Sequence, residues 1–194
     1  MNVEASIQSN PMRSLLKAFA LGTVTVGLVI LVIFFLFRAQ FSASLQSTAP
    51  TDERLDTNFR AHRTALESLL QMSRTDRTVV RIANDFTWLD TDSSWPRPED
   101  RWGISAARWD QYRQLFREAG LQSGILQDNE GGITYFMYWS RGLMTNGSTK
   151  GYAYSENDLT PIVSSLDDYE SWPKGKRIIF KKLDGNWYLF WMSS

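Results

Sequence analysis

Residue types able to do chemistry are few in this sequence and scattered along it. His62 is the only histidine, so a Ser-His-Asp triad or a histidine-bearing metal site must run through it. It falls on an apolar stripe between Phe59 and Leu66, with nothing near it that reads HExxH, which points to packing or capping. Asp90, Asp92 and Ser94 imitate the first three ligand positions of a calcium loop. The imitation stops there, because Trp95 occupies the required glycine, Pro96 stiffens the next step and Arg101 stands in place of the bidentate glutamate. An Asx-rich surface turn accounts for the same residues. Ser171 and Lys174 carry the letters of a serine-lysine dyad, but Pro173 between them interrupts the helical turn that would bring amine to hydroxyl. There is no cysteine, which removes disulfide scaffolds, thiolate zinc sites, a cysteine nucleophile and a lipidated cysteine. No catalytic, cofactor-binding or metal-ligating residue is assigned, and the sequence implies no cofactor.

Two stretches suit binding better than catalysis. In Arg-Gly-Leu-Met-Thr-Asn-Gly-Ser-Thr-Lys-Gly-Tyr-Ala-Tyr, residues 141–154, the glycines at 142, 147 and 151 free a loop. Its backbone N–H groups, with Arg141, Ser148, Thr149 and Lys150, would be able to face an anion. The loop lacks GxxxxGK[ST], so nucleotide phosphate is not implied, and an ordinary strand connection is the better explanation of it. Aromatic residues also lie beside carboxylates around Trp88, Trp95 and Trp102, a pattern suited to stacking on sugar rings. Paired carboxylates there would support glycoside hydrolysis only at the right separation. The competing explanation is core packing, since all eight tryptophans lie outside the apolar run described below and each supplies a large apolar area.

The elements that must position these residues have clear local signals. Residues 52–72 read as a helix, with Leu55, Phe59, Leu66, Leu69 and Leu70 on one stripe and Asp52, Glu53 and Asp56 at its positive end. A second helix starts at a Ser105 cap, with Ile104 and Trp109 placed for a hydrophobic staple. It presents Trp109, Tyr112, Phe116 and Ala119 inward and ends at Gly120. Strand signals cover residues 79–82, 124–127, 134–140 and 151–155. Residues 177–183 and 187–192 flank an Asp184-Gly185-Asn186 hairpin turn. Early helices and a late antiparallel sheet predict an α+β domain with two main helices packed on the sheet.

Upstream, residues 18–37, opening on Ala18 and closing on Phe37, run for twenty positions without a charge. At about 1.5 Å per residue a helix of that length spans the roughly 30 Å hydrocarbon core. In lipid such an isolated segment has to be helical to satisfy its own backbone. A cleaved signal peptide has a shorter apolar region, about 7–15 residues, although Ser42 and Ser44 make a passable cleavage site. Arg13 and Lys17 precede the run, and Arg38 alone follows it closely. That bias places residues 1–17 in the cytoplasm, residues 18–37 in the membrane and, after a spacer at 38–51, residues 52–194 outside the cytoplasm. Of 21 basic and 21 acidic residues only three and one precede residue 39, leaving 18 against 20, a balance that offers nucleic acid no attraction.

The run WDQYRQLFREAGLQSGI at 109–125, YFMYWSRGLMTNGSTKGYAYS at 135–155, SLDDY at 165–169 and the closing DGNWYLFW resemble a group of uncharacterised bacterial envelope proteins. The resemblance covers most of the domain after about Phe59. It implies bacterial origin and an intact domain, and brings no activity, cofactor or site residue. The resulting expectation is a single-pass protein of the bacterial inner membrane. It contacts lipid through residues 18–37 and presents a non-enzymatic periplasmic interaction domain to an envelope protein. The alternative is a glycan-binding or carbohydrate-active domain.

Overall fold

The computed structural model describes residues 48–142, 147–168, 172–173, 175 and 177–193. The apolar run at 18–37, the segment before it, the spacer up to residue 47, Ser171 and Lys174 lie outside the described residues. From Thr48 onward the chain forms one compact unit. Among the described residues no helix is long and apolar enough to cross a membrane.

Two helices, α1 (Asp52–Thr75) and α2 (Ala106–Ala119), pack on a seven-stranded antiparallel sheet, so the domain is α+β. The strands are β1 (Val79–Ile82), β2 (Thr87–Leu89), β3 (Ile125–Asp128), β4 (Ile133–Arg141), β5 (Ser148–Ser155), β6 (Ile178–Asp184) and β7 (Trp187–Ser193). They lie in the order β2-β1-β3-β4-β5-β7-β6. β2 is an addition to the strands expected from sequence. Its three residues are too short to show alternation, and they form a strand by pairing with β1.

Local signals act where expected. Thr51 caps α1 through its side-chain oxygen, which accepts from the Arg54 N–H, and Ser105 caps α2 by accepting from the Arg108 N–H. α2 closes at Gly120 with φ 72°. The Gly120 N–H donates to Arg117 C=O and the Leu121 N–H to Phe116 C=O, the paired bonds of a Schellman closure. α1 departs from a regular helix at His62, whose φ of −121° and ψ of 22° kink it. His62 is half-buried on the stripe that carries Phe59 and Leu66.

Strand pleating sorts side chains to two faces. One face carries Phe136, Tyr152, Trp187 and Leu189 and packs on Leu55, Phe59 and Leu66 of α1 and on Tyr112 and Phe116 of α2. The other carries Tyr135, Met137, Ala153, Phe180, Tyr188 and Phe190, covered in part by Leu159 after β5. A strand buried on both faces cannot alternate with polar residues, which explains the unbroken Trp-Tyr-Leu-Phe-Trp of β7. β4 bulges between Phe136 and Trp139 where it pairs with β5. Gly151 of β5 lies under that bulge, because a Cβ there would stand 2.1 Å from the Phe136 carbonyl oxygen.

Candidate functional site

The chain enters the domain through a buried ion cluster. Lys150, on the helix-facing side of β5, is 1 % exposed. Its Nζ donates to the Pro50 C=O at 2.8 Å and to Asp167 Oδ1 at 2.6 Å. It also stands 2.9 Å from Asp52 Oδ1, close enough to pair charges although off the axis of an aligned hydrogen bond. Asp52 Oδ2 accepts from the Leu166 N–H at 2.9 Å and from Lys181 Nζ at 3.0 Å, and the Asp52 N–H donates to Asp167 Oδ2. The arrangement ties the first turn of α1 to β5, β6 and the loop before β6. Two carboxylates and a carbonyl hold the Lys150 ammonium, which suits a structural clasp.

Lys150 is thus taken up by Asp52, Asp167 and the Pro50 C=O and does not line the cavity that Arg141, Ser148 and Thr149 share. Ser148 and Lys150 point to the helix-facing side and Thr149 to the other, since successive strand residues alternate. Arg141, Ser148 and Thr149 do meet at the end of the sheet. Arg141 pairs in register with Ser148, and all three line a cavity of about 460 Å³ with Ser140 and Arg177. Arg141 and Ser148 also line a neighbouring cavity with Thr48 and Ala49, so this end of the sheet is where the chain enters.

The three tryptophans considered for stacking do not share a plane. Trp95 and Trp102 are tilted by 37° with centroids 6.3 Å apart, and each sets an edge against buried Trp109. The Trp102 indole N–H donates to the Arg97 C=O, fixing it in the loop. Trp88 stands apart, against Phe86. Asp92 has a local role: its Oδ1 accepts from the Ser94 N–H and hydroxyl, and its Oδ2 faces buried Arg97, which donates to Thr87 C=O. These hydrogen bonds from Ser94 hold the Asp92 carboxyl below its ordinary pKa. Among the described residues no group of three or more histidine or carboxylate side chains is placed to hold a metal ion.

A long groove that no sequence motif singled out lies along α1. Two adjoining clefts, of about 630 and 810 Å³, run along the second half of α1 and share Leu70, Arg74 and Tyr154. Arg74 donates to Glu156 Oε1 at 2.5 Å and lies over the Tyr154 ring at 5.2 Å. Arg63 donates to Glu67 and Asp184 and lies over Phe59. Arg77 and Asp128 complete a mixed-charge lining. The spacing of Arg63 and Arg74 along one helix is visible in sequence; Tyr154 and Glu156 reach Arg74 only because β5 ends beside α1.

No family model, curated protein or solved structure matches this chain.

Proposed function

We propose that this chain is a single-pass protein of the bacterial inner membrane. Residues 18–37 cross the bilayer, residues 1–17 stay in the cytoplasm, and the α+β domain stands on the periplasmic side as a non-enzymatic module that binds another envelope protein. The groove along α1 carries this reading. Its arginines and tyrosine are already oriented by intramolecular contacts, so a docking partner would order few further side chains. Arginine and tyrosine are also the types most often dominant in protein interfaces. The uncharged run supports the span by its length, and the two basic residues before it against one just after support the orientation. The glycan-binding alternative has weaker support, because Trp95 and Trp102 are packed on Trp109.

The test uses the full-length chain in living cells. A photo-crosslinking residue at Gln71, exposed in the groove, should capture one defined envelope protein, whereas the same residue at exposed Glu118 of α2 should not. Equal capture at both positions, or none at Gln71, removes the interaction reading. Alkaline phosphatase fused after Ser194 should be active, and a cytoplasm-dependent reporter at that place should be silent. The opposite pattern overturns the topology.

A further inference from the structure

The cleft at the entry end of the sheet has the chemistry of an anion site. β4, β5, β7 and β6 end there side by side. Arg141 pairs with Ser148, Ser148 with Ser193, and the Ser193 N–H donates to the Arg177 C=O at 2.7 Å. Three strand spacings of about 4.8 Å put the two arginine backbones roughly 14 Å apart, within which two extended guanidinium side chains can converge on one group. Both arginines are exposed, and neither is paired with a carboxylate among the described residues. Ser148 and Ser193, which stand between the two arginines in the same row, line the same cavity, whose described lining contains no Asp or Glu. Ile178 and Met192 supply an apolar wall. Guanidinium forks and hydroxyl donors without acidic competitors suit a phosphate group.

We propose that this cleft receives a phosphodiester headgroup of an anionic lipid through Arg141 and Arg177. The choice of lipid rests on the membrane anchor proposed above. Only ten residues separate position 37 from Thr48. Thr48 itself lines the cavity next to Arg141 and Ser148. Given that anchor, so short a connection favours this end for contact with the headgroups, where each basic side chain adds attraction to anionic lipid.

The experiment places the full chain in nanodiscs of phosphatidylcholine alone, or of phosphatidylcholine mixed with phosphatidylglycerol, and follows amide hydrogen exchange. Anionic discs should slow exchange at residues 147–150 and 177–179 by about threefold or more, as site occupancy protects them. The Arg141→Gln/Arg177→Gln double variant should lose that slowing, and Arg117→Gln, on the exposed side of α2, should keep it. Unchanged slowing in the double variant, or none in the wild-type chain, overturns the site. Slowing by inorganic phosphate on neutral discs, with none on anionic discs, overturns the lipid as its source. A chain that does not insert into discs refutes the anchor instead, and inorganic phosphate added to that chain in solution still reads the site: slowing at the same residues supports it and none overturns it.

Discussion

Asp52 is the residue on which the entry end of the domain depends. Burial works to raise its carboxyl pKa, but contact with the Lys150 ammonium, the Leu166 N–H and Lys181 outweighs burial and holds it below its ordinary value of 3.8. A carboxylate with a lowered folded pKa contributes stability that is complete above the unfolded value and lost as pH falls through the folded one. Unfolding free energy measured against pH should therefore be level near neutrality and decline once pH drops below about 4. Asp52→Asn should cost about 3–5 kcal/mol at neutral pH, because it leaves Lys150 with a reduced set of counter-charges in a buried place. The same variant should flatten the acid decline. A variant as stable as wild type by urea unfolding would show that the cluster is incidental. Lys150 is also the clearest case of a residue whose role was not legible in sequence. It stands in a Gly- and Ser-rich stretch that reads as a free loop, yet Asp52 and Asp167, distant along the chain, determine where its charge goes.

At the scale of elements, local rules account for most boundaries and long-range pairing for the exceptions. The α2 caps are local, and Ser105→Ala should lower stability by about 1 kcal/mol in a thermal or urea titration. Gly151 is different, because nothing beside it in sequence demands glycine. Its Cβ would meet the Phe136 carbonyl oxygen at 2.1 Å and the Tyr138 nitrogen at 2.8 Å, both backbone atoms of the neighbouring strand. Gly151→Ala should cost at least about 2 kcal/mol, since the bulge of β4 has to shift to admit a methyl group. A loss of only a few tenths would mean that the bulge moves freely. β2 belongs with these exceptions: its pairing partner and the Arg97 bond to Thr87 C=O both come from outside the segment.

At the scale of the whole molecule, the chain enters at one end of the sheet, and the groove lies farther along α1, beside the ends of β5 and β6. Arg74→Ala separates the two consequences of that groove. Its ion pair with Glu156 is solvent-exposed, so unfolding free energy should change by about 1 kcal/mol or less. Capture of a partner through a crosslinker at Gln71 should nevertheless fall severalfold, as expected for a central interface arginine. Equal capture with and without Arg74 would place the interface elsewhere.

What the amino-acid sequence determines by itself is whatever depends on neighbours a few positions away. Ser105 and Gly120 bound α2, Gly185 turns the last hairpin, Leu55, Phe59 and Leu66 form a stripe, and residues 18–37 have the length and apolarity of a span. Two helices on an antiparallel sheet follow from those local patterns. Tertiary structure alone decided which side chains meet. The burial of Lys150, the turning of Trp95 and Trp102 onto Trp109, the placing of Arg141 and Arg177 on one cavity and the meeting of Arg74 with Tyr154 all depend on strand register and helix placement. Register moves a side chain from one face of a sheet to the other with a single-residue shift, so the chemistry of such contacts is set by the packed whole.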